Sequence, residues 1–152
     1  MDDDIVYGKE RRMVLRILEY WREARGEKPM PPPAAFDAEK LPDYWPFCFV
    51  LDVAKDPDNP EVVSAGRTIA SYVPYPLTGK RVAEFEPKTL PTETVTYMGE
   101  VLRKKVPVSR GGTFRDARGA TILYRSIMLP LSEDGSSITA LLVAANCREV
   151  PV

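Results

Sequence analysis

The sequence predicts an α+β domain: a five-stranded antiparallel sheet with helices on one face and an N-terminal amphipathic helix. Three observations lead to this expectation. A helical apolar stripe opens the chain, two short strand patterns follow, and three longer strand patterns close it around a hairpin turn. The remaining helical patterns are short and bunched between the second and third strands, which fits segregated α+β layers better than an alternating parallel sheet.

Residues 9–25 read as the first helix. Met13, Val14, Ile17, Leu18 and Trp21 line one face, Arg and Glu residues the other, and Gly26 supplies a stop. Pro29-Met30-Pro31-Pro32-Pro33 is a stiff connector, because prolines donate no ladder bonds and favour extended backbone. The expected organisation is therefore a helix and connector over residues 1–35 and a domain over 36–152. Residues 36–45 read as a short turn of helix or irregular chain, and 47–53, rich in aromatic and β-branched residues, as the first strand. Asp56-Pro57-Asp58-Asn59-Pro60 is a turn cluster leading into a second strand over 61–65. Residues 66–72 read as one or two helical turns, 82–85 as another short helix and 92–105 as a longer helix. Strands are expected over 106–114, 120–131 and 137–147, with Ser132-Glu133-Asp134-Gly135-Ser136 as the last hairpin turn.

Composition excludes several function classes. The 152 residues carry 21 Lys and Arg against 22 Asp and Glu, a balance that does not favour nucleic acid or an anionic membrane. The chain has no histidine, so Ser-His and Cys-His nucleophile pairs and imidazole acid–base chemistry are absent. The two cysteines, Cys48 and Cys147, have no metal-ligand spacing and read as small apolar residues. No metal site and no catalytic set is expected. The acidic start, Met1-Asp2-Asp3-Asp4, is unlike a secretory signal, and no apolar run approaches membrane length. The expected location is the cytoplasm.

The element order resembles the PAS domain family. Leu77-Thr78-Gly79-Lys80-Arg81-Val82-Ala83-Glu84-Phe85 is similar to the stretch that precedes the family's long helix. Tyr124 to Gly135 is similar to its closing hairpin in a bacterial subfamily of largely stand-alone members. Leu41-Pro42, Trp45 and the leading amphipathic helix suit the same subfamily. The resemblance covers about residues 36–149 and implies a sensory or signalling module that binds a small ligand, a protein partner or both, often as a homodimer. It names no ligand, so the cofactor stays open. Haem-binding members use an axial His, which this chain lacks. Light-oxygen-voltage members carry an Asn-Cys-Arg motif in the helical region. Here Asn146-Cys147-Arg148 stands at the end of the last strand without the following Phe-Leu-Gln, which argues against a cysteinyl-flavin.

The candidate ligand-binding residues are Arg67, Tyr72, Tyr75, Tyr97, Tyr124 and Ser126: aromatic walls, hydroxyls and a guanidinium suited to a small polar or carboxylate ligand. Tyr124 and Ser126, two residues apart on one strand, share a face. Core packing is the alternative for each tyrosine. The stripe Val14, Ile17, Leu18 and Trp21 has two uses: docking on its own domain, or contact with a second copy or partner. Two other functions compete: a dimerising structural adaptor with a filled core, and a cone-shaped enzyme using Asp52 or Asp116 with Tyr97 or Tyr124.

Overall fold

The computed structural model describes residues 8–151. Helix α1, Gly8–Arg25, opens it. Five strands follow: β1 (Cys48–Asp52), β2 (Glu61–Ala65), β3 (Val108–Arg115), β4 (Thr121–Leu131) and β5 (Ala140–Glu149). They form one sheet in the order β2-β1-β5-β4-β3, every pair antiparallel. Between β2 and β3 lie α2 (Arg67–Ala70), α3 (Leu90–Thr94) and α4 (Met98–Lys104).

Alternation along the strands divides the interior into two layers. Phe49, Leu51, Met128, Leu141 and Val143 point to one face, where they pack with Ile69, Leu90 and Val101 of the short helices. Cys48, Val50, Ile127, Leu129 and Leu142 point to the other, beneath Met13, Ile17 and Trp21 of α1. Because both faces are covered, β5 is apolar without a break from Ala140 to Ala145.

The stripe on α1 therefore meets the chain's own sheet. Ile17 is fully buried, Val14 and Trp21 nearly so, and Leu18 is half-buried beside them. The Trp21 indole N–H donates to the Pro130 carbonyl at 2.9 Å. The connector joins the same layer: Met30 is buried in it, and the Ser132 amide donates to the Pro31 carbonyl at 2.9 Å. Pro130 fits inside β4 because β3 stops at the Val108–Met128 pair, leaving β5 as the only ladder partner at that point.

Several element boundaries differ from the sequence reading, most of all in the helix before β3 and in the last strand. The helix expected over 92–105 is two helices, α3 and α4, separated at Val95–Tyr97. That run is β-branched and aromatic, and the hydroxyls of Thr94 and Thr96 bond back to the carbonyls of Pro91 and Glu93, which bends a helix. The last strand begins at Ala140 rather than Ser137, since the Asp134 carboxylate gathers the amides of Ser136 and Ser137 into the turn. It also runs on to Glu149, paired with Ile122. No helix among the described residues is long and apolar enough to cross a membrane.

Candidate functional site

Three of the six candidate ligand residues meet in the layer between the sheet and the short helices. Tyr97 caps the start of α4, and its hydroxyl hydrogen-bonds the Ser126 hydroxyl of β4 at 2.7 Å. Burial pushes the Tyr97 phenol well above its ordinary range, with the Ser126 hydrogen bond opposing. Tyr124, on the same face of β4, packs edge-on against Phe114 with ring centroids 5.9 Å apart. The Arg110 guanidinium lies over the Tyr97 ring at 5.5 Å and also pairs with Glu100. All three candidates are buried, and the layer around them is filled by side chains.

The open space lies at the edge of this layer. A cleft of about 300 Å³ forms where the end of β3, the start of β4 and the end of β5 face the segment leading into α3. That volume is at the small end for ligand sites. Its apolar wall is Leu90, Phe114 and Ile122, and Tyr72 closes one side. Lys88, Asp116, Arg118, Arg148 and Glu149 supply the charges. Arg118 bonds both carboxylates, Asp116 and Glu149, at 3.0 Å each. Burial raises the Asp116 carboxyl, but the amides of Ala120 and Arg118 and the Arg118 guanidinium outweigh it and hold the group below its ordinary range. Deeper in, the Tyr72 hydroxyl meets the Cys147 thiol; both are raised, first by burial.

Of the remaining candidates, Tyr72 lines this cleft, whereas Tyr75 and Arg67 stand apart from it. The Tyr75 hydroxyl accepts from the Glu86 amide at 3.2 Å, and its ring carries the Lys80 ammonium at 5.3 Å. Arg67 is exposed at the start of α2, beside Trp45 and Pro46. The Asp and Tyr pairing of the cone-enzyme alternative does not form around Tyr97, which bonds Ser126. Asp52 instead accepts the Ala54 amide and Asp116 the Ala120 amide, each closing a turn.

Sequence reasoning missed Lys88, Leu90, Phe114 and Ile122. The Phe114–Ile122 pair was recoverable from the Asp116-Ala117-Arg118-Gly119 turn, which sets those two residues opposite one another. Lys88 has no such sequence mark: its place follows from a left-handed backbone, φ 64°, just before the Thr89 cap of α3. Cys147 and Arg148 belong to the Asn146-Cys147-Arg148 triplet. It lies at the end of β5, where the Asn146 side chain accepts the Cys147 amide at 2.9 Å.

A family model described as a PAS domain matches residues 10–143. Among solved structures, a light-oxygen-voltage domain studied with a flavin analogue aligns at a TM-score of 0.51 and 16% identity, over 78% of this chain and 88% of that one. At that identity the likeness is one of fold. The PAS domain of the fruit-fly ELK potassium channel aligns at 0.49 and 16%, over 72% and 91%. The LOV domain of the Erythrobacter litoralis EL346 blue-light activated histidine kinase aligns at 0.48 and 13%, over 68% and 95%. No curated protein sequence matches the chain.

Proposed function

The chain belongs to the PAS domain family, and we propose that it is a sensory module that takes a small ligand in the Tyr72 cleft and reports to a protein partner, with no catalytic step of its own. Domains of this family are sensory modules, typically of the ligand-binding kind. The observation that carries the reading is a cleft with an apolar wall and a charged lip, set at the edge of a layer that is otherwise filled. Tyr97, Tyr124 and Ser126 lie behind that wall. In this reading they transmit a change in the cleft to the sheet, while Tyr72 touches the ligand. Neither Arg67 nor Tyr75 borders the cleft, so each would bind only a ligand of its own. The place of action is the cytoplasm.

The reading includes a homodimer. Leu15 on α1 is 56% exposed and offers a contact on the helix's outer side, next to half-buried Leu18. Val14, Ile17 and Trp21 would reach a second copy only if α1 exchanged between copies. The filled layer favours a second function, a dimerising adaptor whose information lies in its surfaces.

Native mass spectrometry of protein purified from its own host, beside a denatured sample, separates the two. The expected result is a co-purifying mass in the wild type that is lost on denaturation and absent from a Tyr72→Ala, Phe114→Ala double variant. A mass retained by that variant moves the site elsewhere. Ligand-free dimers throughout would favour the adaptor.

A further inference from the structure

We infer that the cleft selects a small, flat, ring-bearing monoanion, an aromatic carboxylate in chemical class, with its charge at Lys88 and its ring against Phe114 and Ile122. The inference rests on the ligand-cleft reading and adds the ligand's charge and shape.

The charges come first. Lys88, Arg118 and Arg148 face Asp116 and Glu149, so the cleft carries one net positive charge. Arg118 is held between the two carboxylates by bonds of 3.0 Å to each, a trio with one net negative charge that Arg148 on the same wall balances. Arg148 has interactions of its own. Lys88 makes no ion pair among the described residues, and its exposed ammonium stands at the lip. Its backbone is left-handed, φ 64°, a conformation uncommon in residues other than Gly, Asn and Asp. Such backbone persists where surrounding structure holds it in place, and it gathers at binding sites.

Shape comes second. The wall is built from rings and branched chains: Phe114 and Ile122 are cross-strand partners on one face of the β3–β4 hairpin, with Leu90 opposite. Phe114 is fixed edge-on by Tyr124, so its exposed side presents a steady surface for an offset ring. A volume of about 300 Å³ admits one or two fused rings and little else. A neutral body of the same shape would fill the wall but leave Lys88 unanswered. A charge-assisted hydrogen bond in a partly desolvated cleft is worth about a tenfold change in affinity.

The test is a titration of the ¹⁵N-labelled full chain at low ionic strength with sodium 1-naphthoate and, separately, with its neutral counterpart 1-naphthalenemethanol. Naphthoate is expected to move the amide signals of Tyr72, Phe114, Ile122 and Cys147 and to bind about tenfold more tightly than the alcohol. Lys88→Gln should erase that preference. Lys88→Arg should keep it. Equal affinities for the two compounds in the wild type overturn the charge inference while leaving a ligand cleft in place. Naphthoate signals confined to other parts of the chain, or none, overturn it as well, and the co-purifying mass then judges the wider reading separately.

Discussion

At the scale of single residues, the contact with the clearest consequence is the Tyr97–Ser126 hydrogen bond. Both groups are buried, so removing one partner strands the other away from water. Ser126→Ala should destabilise the fold by about 1–3 kcal/mol, measured by urea unfolding, whereas Ser126→Ala with Tyr97→Phe should recover part of that loss. Cys48 gives a pH-dependent test. Burial pushes its thiol up to about 12, so in native protein it should resist iodoacetamide at pH 9 and react only on unfolding. Asp134 gives another. The amides of Ser137 and Ser136 and the Ser132 hydroxyl hold its carboxylate well below the ordinary range. A depressed folded value means stability that is present above the unfolded pKa of about 4 and lost as pH falls through the folded value. Asp134→Ala should therefore melt at a lower temperature than wild type at pH 7, and the gap should close toward pH 2.

At the scale of elements, α1 and the approach to α2 carry the argument. Ile17 lies on the sheet-facing side of α1 with no exposed surface, and Ile17→Ala should cost about 2–5 kcal/mol by the same unfolding measurement. Gly66 precedes α2, with its amide bonded to the Cys48 carbonyl at 2.7 Å. A methyl group there would press into the Trp45 carbonyl and come within 2.6 Å of the Pro46 backbone. Gly66→Ala should therefore destabilise by about 1–3 kcal/mol, because the obstacle is main chain and cannot swing aside. The elements most legible in the sequence were those with a strong period. The α1 stripe, the β1–β2 hairpin and the final turn stand near where the residues placed them. The α3–α4 break was less legible, since Val95 and Met98 keep the apolar spacing of a continuous helix while Thr94 and Thr96 bond locally against it. Periodicity reports which side faces the core, not whether the backbone stays straight.

At the scale of the whole molecule, the sheet separates two unlike layers. One layer is covered by a long helix and the connector, and the other by short helices, with the Tyr72 cleft at its edge. This explains why the fold was readable while the site was only partly so. Tyr97, Tyr124 and Ser126 carry polar and aromatic groups on the short-helix side of the sheet, but the filled layer sets them behind the cleft wall. The cleft's own residues come from four separate segments, and only tertiary register brings Lys88 to Phe114. Removing residues 1–25 should expose Ile127, Leu129 and Leu142 together. The truncated chain is expected to bind the dye ANS and to lose near-ultraviolet circular dichroism while keeping much of its far-ultraviolet signal.

The strand order β2-β1-β5-β4-β3 has a further consequence in time. The two hairpins, β1–β2 and β3–β4, are each local and can pair as soon as their residues emerge from the ribosome. The two hairpins are not paired with each other in the sheet: β5, the strand synthesised after all of them, lies between and bonds both. Without β5, the edges of β1 and β4 that it bonds would be left open. Completion depends on the strand pairing of greatest sequence separation among the described residues, Cys48 with Ala144. Such long-range closure is slow and leaves apolar edges exposed while it waits. The consequence expected of this order is that the sheet closes only once β5 is available, since β5 joins the two hairpins.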